Sequence, residues 1–391
     1  MKKFNIELLF VLATCLVLPC IMGLEYGREF FYLSFCILTS LLVILTCEGD
    51  KYKIMFFTYF FVFLFITLSF FYISNLPVLV GPDEERFYTG LLSYRNNYDF
   101  YMANSIAHIK DSYIVLSSSY PIFGMLLNPI MDMYAISGPE IAIPINFIML
   151  LVSVVIFKNI LLGRVKSNYW LFIILCLPSF TYHSSIFAKD ILSNFIVFLS
   201  LYYLFNRSFL LFIITLILSI ALRPYSFVVV AIYFIFIRKE MKYMILCSVF
   251  SLLLVFLFSG LTGLVNTVFT TLYLIVSPNP LGSEYRVDYL PLYFESIAFF
   301  LFYITSVYLN FKSKNFNLLI IFHLALISYA SIMAVMAFYG SISYGFEYQM
   351  GQMGGNVVRK KLPIVPLVIL YFYLSIHGKN NKFKTVNQEA T

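Results

Sequence analysis

The chain has 391 residues, of which 61% are hydrophobic, 19% aromatic and only 12% charged. Soluble domains carry about 25% charged residues, so this composition, with a mean hydropathy of +0.89, excludes a soluble globular core and describes a polytopic membrane protein. The net charge of +7 would signal a nucleic-acid partner only if the cations formed a patch, and their placement along the chain argues for membrane topology instead.

Apolar runs long enough to cross about 30 Å of hydrocarbon fall at 5–24, 30–47, 54–74, 141–161, 168–184, 190–206, 208–222, 224–237, 243–263, 291–310, 317–338 and 362–377. They predict an all-α protein of about twelve transmembrane helices, two of them short. Met1-Lys2-Lys3 precedes the first run without a small-x-small cleavage site, which reads as a retained helix and not a signal peptide. Forty-four Phe and 31 Tyr suit lipid-facing walls and interfacial belts, with Tyr replacing Trp, of which there is one. Cys15, Cys20, Cys36, Cys47, Cys176 and Cys247 lie in or beside apolar runs at no metal or disulfide spacing, as small apolar fillers.

Lysine and arginine give the orientation. With the N-terminus inside, the inner loops and termini hold 16 of the 26 basic residues and 5 of the 19 acidic ones. The inner side is then +11 and the outer side −4, which predicts an N-in, C-in topology. Residues 1–378 form one membrane domain and 379–391 a cytoplasmic tail. The inner loops are short. The outer loops are long: 75–140, 264–290 and 339–361. Within the first, Ser112 to Ala135 is apolar but broken by Pro121, Gly124 and Pro129, and a full crossing there would invert every later loop. It reads as a re-entrant or interfacial element. The 339–361 loop is rich in glycine (Gly340, Gly345, Gly351, Gly354, Gly355).

The conspicuous charges fall on the outer side. Val80-Gly81-Pro82-Asp83-Glu84-Glu85-Arg86-Phe87-Tyr88 opens the largest loop. Lys189-Asp190 closes Ser185-Ile186-Phe187-Ala188-Lys189-Asp190. Arg223 stands in the tight turn Ala221-Leu222-Arg223-Pro224-Tyr225. Arg286 lies between Glu284 and Asp288, and Arg359 precedes Lys360-Lys361-Leu362-Pro363. Each has a plainer reading. Pro82 and the three carboxylates suit a solvated helix start, and Lys189 suits an interfacial snorkelling lysine. Arg223 and Arg359 resist it, because cations on the outer side run against the topological bias and Arg223 is held at the hydrocarbon boundary.

Outward-facing arginines beside a carboxylate cluster fit an anionic ligand at the membrane–water boundary, since guanidinium makes bidentate contacts with phosphate. A lipid-linked phosphate or diphosphate places its charge at that depth. The chemistry expected is glycosyl transfer from a polyprenyl carrier. Asp83, Glu84 or Glu85 acts as general base toward the acceptor hydroxyl. Arg86, Lys189, Asp190, Arg223, Arg286 and Arg359 form the substrate-binding set, with the arginines taking up charge on the leaving phosphate. The scheme requires no metal and no cofactor, and His108, His183, His323 and His377 read as scattered structural residues.

The architecture and the stretches Phe187-Ala188-Lys189-Asp190, Leu222-Arg223-Pro224-Tyr225 and Arg359-Lys360-Lys361-Leu362-Pro363 resemble bacterial surface-polysaccharide (O-antigen) polymerases of the Wzy type. That resemblance implies a bacterial inner-membrane enzyme joining undecaprenyl-diphosphate-linked oligosaccharide repeats at the outer face, with a polysaccharide chain-length regulator as partner. Arginine-x-glycine spacings described for polymerase loops are not evident here. Pro82-Asp83-Glu84 with Tyr88 looks like the first-loop signature of family C glycosyltransferases, which use polyprenyl-phosphate sugars, although here it follows the third span and not the first. A lipid-linked oligosaccharide flippase is the alternative of a different class. Its charges would lie within spans, whereas these collect in loops on one face.

Overall fold

The computed structural model describes residues 142–161, 169–278, 290–343, 345–351 and 357–377, together with Ile21, Met22, Glu25, Glu85 and Tyr88. The expected spans before residue 141, the 112–135 element, the rest of the 75–140 loop, Arg286 and the 379–391 tail lie outside the described residues. Among those described, the chain is helical with no strand. In order come α1 (Ala142–Ile160), a 3-10 helix (Tyr169–Cys176), α2 (Pro178–Ser184), α3 (Asp190–Phe205), α4 (Phe209–Leu222), α5 (Ser226–Arg238), α6 (Met241–Val276), α7 (Leu290–Lys312), α8 (Phe316–Ser343), α9 (Val357–Lys361) and α10 (Val365–His377).

Consecutive helices reverse through turns with a recurrent cap. After α3, Arg207 takes the left-handed conformation (φ 58°), and Ser208 N–H donates to the Tyr203 carbonyl at 3.0 Å. After α5, Lys239 does the same (φ 56°), with Glu240 N–H on Ile235 at 3.2 Å. After α7, Lys314 (φ 57°) precedes Asn315, whose N–H reaches the Asn310 carbonyl at 2.9 Å. This is the cap in which glycine is the usual residue, because a Cβ strains the left-handed backbone. Here a cation occupies it three times, always at the same end of the bundle. A cation complements the helix C-terminal dipole there, and basic turns at one end are what a membrane topology signal requires.

The helices differ in length, and that sets the depth of everything else. Three are long and apolar enough to cross a membrane: α6 at 36 residues, α7 at 23 and α8 over Phe316–Ile342. They leave large apolar side chains outward, among them Leu246, Leu257, Leu261 and Leu301. A continuous apolar surface of that kind belongs against lipid, and the protein is an all-helical membrane protein. By contrast α3, α4, α5 and α10 have 16, 14, 13 and 13 residues. At 1.5 Å per residue they reach only about 20–24 Å, so they stop short of the ends of α6 and α8.

Three spans differ from their sequence boundaries, the expected 317–338 span by running on to Ser343, into the expected 339–361 loop. The expected 168–184 span is broken into the 3-10 helix and α2 at Leu177, which is extended (ψ 132°) before Pro178. Proline disfavours the α region in the residue before it and lacks an N–H of its own, and hydropathy alone does not register either effect. The span ending at 263 continues to Val276, so residues 264–276 of the expected outer loop are helical. A single break at Gly260 (φ 59°, ψ −148°) lets α6 change direction without ending, in a conformation that favours glycine.

The core lies between α1, α3, α5, α8 and α10. Phe157, Phe198 and Tyr233 meet edge to face or tilted at 5.0–5.7 Å, and Phe322 stacks on Tyr371 at 3.7 Å. Small polar residues join α6 to α8, where Ser248 bonds Ser328 at 2.9 Å and the Leu324 carbonyl at 3.0 Å, the kind of contact that holds helices together where water is absent.

Candidate functional site

Opposite the basic turns, the short helices end together. α3 and α4 form an antiparallel hairpin, so the first residue of α3 and the residue after α4 return to one end. These are Asp190 and Arg223, and the Arg223 guanidinium pairs with Asp190 Oδ1. The second carboxylate oxygen faces Arg359 Nε at 3.5 Å. Asp190 is only 3% exposed, and the two arginines 15% and 12%. A carboxylate in the first turn of a helix is favoured by the dipole, and here it also bridges two guanidiniums from distant parts of the chain.

Further groups complete the floor. Arg223 donates to the Tyr225 hydroxyl at 2.9 Å, and the Tyr225 ring meets Tyr329 of α8. The Tyr329 hydroxyl in turn donates to the Lys360 carbonyl. Burial first, and then the charge of Arg223, hold the Lys360 ammonium down to about 8. His183, buried in α2, donates from Nδ1 to the Ser179 carbonyl at 2.7 Å and lies within the field of Arg223. Just beyond Arg359, the Tyr233 hydroxyl donates to the Pro363 carbonyl at 2.8 Å and accepts from Leu367 N–H at 3.0 Å. The hydroxyl thus bridges the Pro363 carbonyl and the Leu367 N–H at the start of α10.

This floor sits level with the middle of α8. Tyr329 touches it from the middle of α8, which continues for about 20 Å past that level. Alongside, Asn266 of α6 clamps the chain after α8, donating to the Gln349 carbonyl at 3.0 Å and accepting from Gly351 N–H at 2.7 Å. Two guanidiniums therefore meet on one buried carboxylate beside the long helices, with Lys360 in the field of Arg223.

The sequence-predicted residues fare unequally. Asp190, Arg223 and Arg359 come together. Asp190, itself an anion, holds the guanidiniums in place, since a carboxylate repels a phosphate. Lys189 adjoins as the residue before α3. Glu85 is helical and exposed, while Asp83, Glu84, Arg86 and Arg286 lie outside the described residues. Tyr88, three residues after Glu85, packs its ring edge to face on Phe187 at 5.5 Å, three residues before Asp190. His183, buried and bonded to the Ser179 carbonyl of its own helix, agrees with the structural reading of the histidines. One participant was missed. Glu295 is a lone carboxylate within an apolar helix, and its signal is that such a residue is costly in a membrane unless it is paired. Among the described residues no three His, Cys, Asp or Glu side chains converge.

The fold and this floor define the protein's class as an all-helical membrane protein with a buried arginine–carboxylate cluster at one end of its short helices. No protein-family model, curated protein or solved structure matches the chain.

Proposed function

We propose that this protein is a glycosyltransferase of the polysaccharide-polymerase kind. It would join polyprenyl-diphosphate-linked oligosaccharide repeats at the outer face of a bacterial inner membrane, within a bundle of about twelve spans whose termini both lie inside. The observation that carries the reading is the meeting of Arg223 and Arg359 on the buried Asp190, with Lys360 in the field of Arg223, level with the middle of α8. A lipid diphosphate entering from the bilayer presents its charge at that depth. Buried, pre-oriented cations stabilise an anion most effectively where charge grows during reaction.

In the step proposed, the acceptor hydroxyl oxygen attacks the anomeric carbon of the donor. The bond from that carbon to the diphosphate oxygen breaks, and its electron pair leaves with the diphosphate toward the guanidiniums. The hydroxyl proton passes to a carboxylate of the Asp83–Glu85 cluster. The Tyr88–Phe187 contact also favours a second reading, a family C-like transferase of single sugars from polyprenyl phosphate, in which that acidic stretch is the catalytic loop.

Gel ladders of surface polysaccharide from cells lacking the protein test this. The polymerase reading predicts one repeat per lipid anchor. A full ladder of altered sugar composition supports the second reading. Absence of any repeat overturns both in favour of a flippase or an earlier transferase.

A further inference from the structure

Arg359 and Lys360 belong to a helix of five residues, too short to hold its own position. What anchors it lies beyond the arginine cluster. Lys361 turns away from Asp190 and is 2% exposed, with its ammonium 3.1 Å from Glu295 Oε1 of α7. The same ammonium donates to the Ser277 carbonyl at 3.0 Å, at the end of α6, and sits 4.6 Å from the centre of the Phe299 ring. Glu295 is buried too, and its second oxygen accepts from Ser179 N–H at 2.6 Å. That bond fixes the first turn of α2, the helix that brings His183 into the field of Arg223.

We propose that the Glu295–Lys361 pair is a positioning latch, through which α7 sets Arg359 and Lys360 against Asp190 and Arg223 and so sets the site's affinity for a phosphate-class anion. This rests on the anion-binding reading above. Three observations support it. The lever is short: Arg359 and Lys361 are two residues apart, and Leu362 N–H bonds back to the Arg359 carbonyl at 3.3 Å. The latch joins four separate elements, α2, α7, α9 and the end of α6, so displacing it releases both flanks of the floor. Finally, a buried ion pair is a poor source of stability compared with apolar side chains of equal volume, while it fixes one arrangement against others.

The test is a double variant, Glu295→Gln with Lys361→Met, which removes both charges together and so avoids stranding one of them. Purified in detergent, it is expected to elute as one species with a thermal midpoint close to wild type. Titration with inorganic diphosphate is then compared across wild type, the double variant, Arg359→Ala and the triple variant. The latch predicts that the double variant weakens binding about tenfold or more, the size of a charged hydrogen-bond contact. Adding Arg359→Ala to it should cost little further, because coupled positions are non-additive. Independent, multiplicative losses overturn the latch.

A second readout does not depend on binding. Arg359→Cys, labelled with a membrane-impermeant thiol reagent and counted above the native cysteines, should react slowly in the wild-type background and about tenfold faster when the latch charges are removed, as expected for a local opening. Equal rates in the two backgrounds overturn the latch even if diphosphate binds. Failure of wild type to bind diphosphate overturns the anion reading, and with it the affinity role assigned to the latch.

Discussion

The two ends of the helical bundle use cations in opposite ways. At one end Arg207, Lys239 and Lys314 sit exposed on short turns and Lys312 at the end of α7, the first three in a backbone conformation that glycine adopts more easily. At the other, Asp190 and the Glu295–Lys361 pair are buried, and the guanidiniums of Arg223 and Arg359 are nearly so. Exposed cations at turns keep more contact with solvent, and their common placement at one end is the pattern that a topology signal takes. Cations at the other end are desolvated, each is tied to named partners, and each has geometry to lose. Charge alone is thus no guide to function in this chain; burial and partnering separate a topology signal from a site.

Substitutions sharpen that contrast. The largest effect is expected from Arg223→Ala, which should abolish long polysaccharide chains on a gel while changing membrane abundance little, because Asp190 keeps Arg359 as its partner. Arg223→Lys should impair them as well, because an ammonium cannot keep both the Asp190 and Tyr225 contacts in the plane of a guanidinium. Asp190→Ala should follow, leaving two guanidiniums facing each other without their bridge. Breaking a buried pair in this way costs about 3–5 kcal/mol, to be read as a fall in the thermal midpoint. Lys239→Ala, at the opposite end, should stay within about 0.5 kcal/mol.

A pH dependence is expected next. Lys360 is charged below about 8 and neutral above it, so diphosphate affinity should fall as pH rises from 7 to 9.5, and Lys360→Met should flatten that fall. Because its folded value lies below the ordinary lysine value of 10.5, the charged form costs stability at every pH below about 8, and the cost is relieved between about 8 and 10.5. The smallest effect is at the basic turns. Replacing Arg207, Lys239 and Lys314 by Gly should relieve backbone strain of up to about 1 kcal/mol each. Chain extension per correctly inserted molecule should not change, whereas the fraction inserted in the right orientation, measured by protease protection, should drop.

Much of the membrane character, and part of the site, is legible in the sequence for physical reasons. Hairpins of short apolar helices return to the same end after every second turn, so marking Asp190 and Arg223 on one face already made them candidate neighbours. Arg359 joined them by the same logic. The Glu295–Lys361 latch was not legible, because it depends on which face of α7 meets α9, and local sequence carries no record of that. The break at Leu177 was available from Pro178, but a hydropathy window averages over it. The continuation of α6 to Val276 was hidden because Gly260 and Gly263 resemble a helix end, while the chain uses Gly260 as a bend.

The central claim is that the buried cluster is a seat for the charged head of a lipid-linked donor. Its most direct measurement compares the affinity of the purified protein for undecaprenyl diphosphate with that for uncharged undecaprenol, in wild type and in Arg223→Ala. The account predicts a preference of at least about a hundredfold for the diphosphate, equivalent to two charge-assisted contacts, which weakens with added salt and collapses in the variant. Equal affinity for the two lipids, or a preference that survives Arg223→Ala unchanged, would contradict it.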